Sequence, residues 1–194
     1  MQVHVSKKTF EMMLGRHCGP ALSGIKPSNM ISIKKDKLPL FNNLLCEYNE
    51  NMNQHDIYFS IINETETIYL VLVYRKEKLK SHLNKPEINS LLREEGYPCE
   101  STSIDSYIKH LNSRFNGECC PPDEIGIFLG YPIEDVMGFK QHRGKNCLMS
   151  KYWKVYSDVN EAEKLFERYD RCKKALCRRL ISGTSIIDMF AKSA

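Results

Sequence analysis

The chain has 194 residues, of which 42% are apolar and 27% charged, so it can bury a core and is not a disordered chain. Its net charge of +4 is smaller than that of a typical general nucleic-acid binder, and we expect no nucleic-acid partner. No apolar run approaches the ~20 residues that span a bilayer, and residues 1–10 lack the apolar stretch of a signal peptide. We therefore expect one cytoplasmic domain over residues 1–194, with no membrane partner.

The first quarter of the chain alternates helical and irregular patterns. Residues 6–14 predict a helix, and Gly15 is placed to end it in a left-handed turn. The segment 15–29 has neither helical nor strand periodicity, and residues 30–33 predict a short strand. Asp36 is then placed to cap a helix that has Pro39 in its first turn and apolar positions between Phe41 and Met52 on one face.

The strongest strand pattern covers residues 57–74. Residues 57–62 and 67–74 are β-branched and aromatic, and the turn at 63–66 predicts that they form a hairpin. The second run is apolar at nearly every position rather than alternating. A strand of that kind is covered on both faces, so we expect helices on both sides of the sheet.

Helical periodicity dominates the rest of the chain. The pattern predicts helices near 76–83, 87–95 and 103–115, two short helices broken at Gly130, a strand over 148–156, a long helix over 159–181 and a last turn at 186–190. Together these elements predict an α+β fold, with a small, mostly antiparallel sheet and helices packed on both of its faces.

Eight cysteines are present, and in the cytoplasm we expect them to be thiols. The closest spacings are the adjacent pair Cys119 and Cys120 and the pair Cys172 and Cys177. Neither spacing is that of a zinc or iron–sulfur site. Buried, unreactive thiols are therefore the main expectation.

The irregular segment 15–29 is the first candidate site, because loops often carry function. A thiol beside histidine and cations can ionise readily, so Cys18 could be a catalytic nucleophile; the alternative is a packed, inert thiol. Basic side chains and loop amides could instead hold a phosphate or carboxylate. The ligand-binding candidates in this segment are Arg16, His17, Lys26 and Asn29.

Two further segments could complete that site. Strand alternation places Trp153 and Val155 on one face and Lys154 and Tyr156 on the other. If the second face meets the 15–29 segment, Lys154 and Tyr156 become ligand-binding residues. Tyr131, in the turn after Gly130, is a candidate for the same cavity.

Acidic residues in the segment 121–139 allow more than one interpretation. Glu124, Glu134 and Asp135 could be paired acids for proton transfer or metal binding. They also fit the first turns of two helices, where acids complement the helix dipole, and we favour that interpretation. A DNA-reading helix-turn-helix is disfavoured, because acids would lead the second helix into the phosphate-lined groove.

Three segments carry a resemblance to a known family: residues 17–29, residues 124–139 and the sequence Trp153-Lys154-Val155-Tyr156. With them the chain resembles, over nearly its whole length, the family catalogued as domain of unknown function 3793. The resemblance implies a single-domain, bacterial, cytoplasmic protein. It implies no activity, cofactor or functional residue.

Three hypotheses follow. The first is a pocket protein for a small anionic ligand, which in one version is a thiol-dependent enzyme using Cys18. The second is a metal or haem binder using His17, Cys18 and some of Cys119, Cys120 and Cys147. The third is a non-enzymatic interaction or regulatory protein that uses the basic outer face of the 159–181 helix. The sequence leaves the ligand, the cofactor, the protein partner and the oligomeric state open.

Overall fold

A computed structural model describes residues 2–99, 103–115 and 120–191. The helices are α1 (Gln2–Leu22), α2 (Phe41–Met52), α3 (Lys76–Leu83), α4 (Pro86–Glu94), α5 (Ile104–Ser113), α6 (Ile125–Phe128), α7 (Ile133–His142), α8 (Val159–Ile181) and α9 (Ile186–Ala191). The strands are β1 (Ser28–Lys34), β2 (Ile57–Glu64), β3 (Ile68–Arg75), β4 (Met149–Ser150) and β5 (Lys154–Val155). Within these described ranges, none of the helices is long and apolar enough to cross a bilayer.

The central sheet confirms the predicted α+β class. Its order is β1-β3-β2, and both pairings are antiparallel, so β3 lies in the middle. Val71 and Val73 point into a core formed with α1, α2, α8 and α9. Leu70 and Leu72 point into a second core, formed with α3 to α7. The uniformly apolar pattern of β3 is therefore explained by helices on both faces.

The first helix does not end at Gly15, so that prediction is wrong. α1 continues to Leu22, and its glycines face α8. A Cβ at Gly15 would lie 2.7 Å from Leu180 Cδ1, and one at Gly19 would lie 3.2 Å from Lys173 Cα. These glycines allow two helix backbones to approach closely, which outweighs their low helix propensity.

The chain leaves α1 through a short turn. Pro20 sits in the last turn of the helix, and its carbonyl oxygen accepts hydrogen bonds from the backbone nitrogens of Ile25 (2.9 Å) and Lys26 (3.1 Å). Gly24 takes the left-handed conformation that such a helix end requires, with φ of 70°. The segment 15–29 is therefore mostly helix, with an irregular stretch only between Leu22 and Ser28.

The predicted strand over 148–156 is instead a small hairpin. β4 and β5 pair antiparallel, and the backbone nitrogen of Lys151 donates to the carbonyl of Trp153 (3.2 Å), which closes the turn between them. Trp153 and Val155 are buried against Phe166 and Tyr169 of α8. This third cluster carries the hairpin to the end of the molecule where α1 meets β1.

Candidate functional site

A cavity of about 420 Å³ lies where α1, β1, the turn after α6, the β4–β5 hairpin and α8 meet. Its walls are partly polar. Five predicted ligand-binding residues line it: Arg16, His17, Lys26, Asn29 and Tyr131. Residues that sequence reasoning did not place there also line it: Met30, Leu129, Lys151, Tyr152, Asp170 and Lys173.

Lys26 is the most unusual residue of this cavity. Its side chain is almost fully buried, with 3% of the residue exposed. Its Nζ lies 4.7 Å from the ring centroid of Tyr131 and 5.8 Å from that of Tyr169. Within the ranges that the structure describes, no oxygen accepts a hydrogen bond from this amine. Burial lowers the pKa of Lys26 to about 7, and the nearby Cys18 thiol opposes that shift.

Asn29 offers a second polar group to the cavity. Its position on β1, paired with Val73 of β3, fixes the direction of the side chain. Its Oδ1 accepts a hydrogen bond from the backbone nitrogen of Ala21 at 3.0 Å. The amide is therefore oriented, and its Nδ2 hydrogens remain available to a ligand.

The opposite wall contains the one carboxylate among the described lining residues. Asp170 Oδ1 accepts from the Tyr152 hydroxyl (2.5 Å), and Asp170 Oδ2 accepts from Lys151 Nζ (2.8 Å). Hydrogen bonds from Lys151 and then Tyr152 hold the pKa of Asp170 below its ordinary value. Lys173 Nζ in turn donates to the Tyr152 hydroxyl at 3.2 Å. The carboxylate thus already accepts from two donors, and its charge interacts with Lys151 and Lys173.

The rim carries Arg16 and His17 from the exposed side of α1. Burial, followed by the positive charges of Lys173 and Arg16, lowers the pKa of His17. The lowered pKa favours the neutral imidazole at pH 7, which can accept a proton at the cavity mouth.

Tyr131 connects the cavity to the rest of the fold. Its ring stacks on Trp153, with centroids 4.9 Å apart and planes inclined by 24°. Its hydroxyl donates to the carbonyl of Tyr152 at 3.3 Å. Nearby, Ser28 Oγ donates to the carbonyl of Phe128 at 2.6 Å. Two of the three segments that carry the family resemblance, residues 17–29 and 124–139, therefore line this cavity, and the third reaches it only through the contact of Trp153 with Tyr131.

Lys154 and Tyr156 are not brought to the cavity. Lys154 Nζ donates to the carbonyl of Gly144, and the residue lines a separate, mostly apolar pocket of about 290 Å³. The ring of Tyr156 stacks on His142, with centroids 5.6 Å apart. The alternation of residues 153–156 is observed, but the hairpin turns their polar face toward α7 rather than toward α1.

Cys18 is packed in the core, has no exposed surface and is not among the residues that line the cavity. Burial strongly raises the pKa of its thiol, despite the nearby Lys26 amine. A thiolate nucleophile needs the opposite conditions. The geometry therefore favours the inert, packed alternative over the catalytic one.

The acids of the segment 121–139 have separate structural contacts. Asp135 is buried and accepts from Trp153 Nε1 (2.6 Å) and from the backbone nitrogen of Tyr156 (2.7 Å). Glu124 is buried and accepts from Arg114 Nε at 2.8 Å. These contacts give Asp135 and Glu124 separate roles in packing, whereas Glu134 is exposed in the first turn of α7.

The structure also bears on the metal or haem hypothesis and on the hypothesis that the outer face of α8 binds a partner. Among the residues described, no group of three or more His, Cys, Asp or Glu side chains could hold a metal ion, and Cys119 lies outside those residues. On α8, Lys164 pairs with Glu161 at 2.5 Å, while Lys173 belongs to the cavity rather than to the outer face.

Helical spacing could have identified Lys173, because it follows the inward-facing Tyr169 by four residues. Lys151 and Tyr152 show no such pattern, because the sequence predicts a continuous strand where the structure has the turn between β4 and β5.

Comparison with curated proteins and with solved structures finds no match. One family, described as "Protein of unknown function (DUF3793)", matches residues 14–190, a range that includes all the cavity-lining residues. The chain belongs to that family.

Proposed function

We propose that the cavity binds a small ligand carrying a carboxylate or phosphate group. The observation that carries this proposal is the buried amine of Lys26, which has no acceptor among the described residues. Burial largely desolvates this amine, and desolvation without an acceptor costs free energy. An anionic ligand would supply the missing acceptor and offset that cost.

The charge distribution supports the same conclusion. Arg16, Lys26 and Lys173 line the cavity, and the carboxylate of Asp170 is already engaged by Lys151 and Tyr152. Positive groups in a partly desolvated site attract anions more strongly than the same groups in water. The Nδ2 amide of Asn29 adds an uncharged donor.

The size and lining of the cavity suit a metabolite rather than a macromolecule. Its volume of about 420 Å³ is within the usual range for small-molecule sites. Tyr131, Leu129 and Met30 provide apolar wall area for the carbon skeleton of such a ligand.

Calorimetric titration tests this proposal with inorganic phosphate, citrate and a nucleoside monophosphate as probes. We expect the wild-type protein to bind at least one of them, and Lys26→Met to weaken that binding at least tenfold, which corresponds to about 1.4 kcal/mol. Lys109→Met is the matched control, because Lys109 is an exposed lysine on α5. Failure of all three probes, or equal affinity of Lys26→Met and wild type, would contradict the proposal.

A further inference from the structure

We propose that Lys26 is a nucleophilic amine that condenses with the carbonyl group of an anionic aldehyde or keto acid held in the cavity. This inference rests on the proposed function, because the anionic group of the substrate is what the cavity would bind. It adds a covalent step and a substrate class.

The first argument is the freedom of the amine. Lys151 Nζ is engaged by Asp170, and Lys173 Nζ is engaged by the Tyr152 hydroxyl. Among the lysines described at the cavity, Lys26 alone has no hydrogen-bond acceptor. The described contacts of its Nζ are with the ring faces of Tyr131 and Tyr169, and because no oxygen acceptor holds a proton on the nitrogen, its neutral form has a lone pair available for reaction.

The second argument is the surroundings of the amine. A lysine becomes a nucleophile when burial or neighbouring cations disfavour its charged form. The titratable groups around the Lys26 side of the cavity are Cys18 and His17 on α1, Tyr131 after α6, Tyr152 in the hairpin turn, and Tyr169 and Lys173 on α8. The one described carboxylate of the cavity, Asp170, is already engaged by two other donors. The lowered pKa of Lys26 agrees with this geometry.

The reaction needs no oxidant or reductant. The Nζ lone pair forms a bond to the carbonyl carbon, and the π pair of the C=O bond moves onto oxygen. Both hydrogens of the neutral amine leave with that oxygen as water, and the product is a C=N imine. Arg16 and Lys173 are placed to hold the carboxylate or phosphate of the substrate, and the neutral His17 can accept a proton at the rim and return it to the departing oxygen.

Borohydride trapping tests the inference directly. The folded wild-type protein is incubated with glyoxylate at pH 7.5, sodium borohydride reduces any imine to a stable secondary amine, and the modified lysines are located by peptide mass spectrometry. Trypsin does not cleave the bond between Lys26 and Pro27, so modified and unmodified Lys26 occur in the same peptide, residues 17–34. We expect at least tenfold more adduct on Lys26 than on the exposed Lys109.

Two controls make the result specific. Inorganic phosphate in excess is expected to suppress the Lys26 adduct, and propionaldehyde, which has no charge, is expected to label Lys26 no faster than Lys109. Glyoxylate adducts spread evenly over the lysines would overturn the inference. If phosphate still binds in the calorimeter under that outcome, the proposed function stands and the covalent step alone fails.

Discussion

A Cβ atom at Gly130 would lie 2.4 Å from Cγ of Pro27. This contact joins the turn after α6 to the turn before β1, and it places Tyr131 beside Lys26. Gly130 also has a φ of 67°, a conformation that side chains rarely adopt. The position therefore requires glycine for two separate reasons, and one wall of the cavity depends on it.

Gly130→Ala is expected to lower the free energy of unfolding by about 2–4 kcal/mol, from backbone strain together with the clash against Pro27. Gly183→Ala is the matched control, because Gly183 has a φ of 91° but no atom within 4 Å of an added Cβ. It should cost only about 1 kcal/mol. Urea unfolding of both variants checks this, and equal costs would show that the clash is relieved by local movement.

Asp135→Ala is expected to cost about 3–5 kcal/mol, because it leaves the indole nitrogen of Trp153 and the backbone nitrogens of Tyr156 and Ser157 without their acceptor. Trp153 is the only tryptophan of the chain, so its fluorescence reports on this contact. We expect a changed emission maximum in the native state. Glu134→Gln, at an exposed neighbouring position, should change neither property.

Lys26 should make stability depend on pH. Its pKa falls from an ordinary 10.5 to about 7 in the folded protein. Between these values the unfolded chain binds a proton that the native state does not, so the free energy of unfolding rises with pH, by up to about 1.4 kcal/mol per unit. Below pH 7 both states are protonated, and the contribution is constant.

Lys26→Met should remove this slope and raise the free energy of unfolding at pH 7 by about 1–3 kcal/mol. Denaturant titrations between pH 7 and 8.5 measure both effects, and this window stays below the range in which Cys18, with its raised pKa, has the opposite effect. Identical slopes for wild type and Lys26→Met would mean that the buried amine keeps its proton.

Cys18 should resist alkylation in the native protein, because its thiol has no exposed surface and its pKa is raised by burial. Iodoacetamide at pH 8 is expected to modify the exposed Cys46 first and Cys18 only after unfolding. Mass spectrometry of timed samples measures both rates. Cys18→Ala should also keep the phosphate affinity of wild type within about twofold. A larger loss of affinity would show that Cys18 contributes to ligand binding.

Local sequence patterns correctly predicted the elements whose conformation depends only on nearby residues. The hairpin of β2 and β3 follows from two β-forming runs and one turn, and the apolar character of β3 predicted that helices cover both faces of the sheet. The glycines of α1 show the limit of this reasoning. Gly15 fits a helix end as well as a close helix contact, and only the position of α8 distinguishes the two.

The same limit applies to the candidate site. Arg16, His17, Lys26 and Asn29 could be proposed together because they are close in sequence, and they do line one cavity. Helical spacing places Lys173 on the same face of α8 as Tyr169, but only the tertiary structure shows that this face meets the cavity. Lys154 and Tyr156 were assigned to the cavity because a continuous strand was expected where the chain forms a hairpin.

The sequence by itself determined the α+β class, the helices on both faces of the sheet and the segment that contributes the buried lysine, because each depends on neighbouring residues and on periodicity. Only the tertiary structure decided that Lys26 lacks an acceptor and that Cys18 is packed in the core. Both properties depend on burial against α8 and the β4–β5 hairpin, which are more than 100 residues away in the chain. The free energy of a charged or reactive group is set by such distant neighbours, and a local pattern does not contain them.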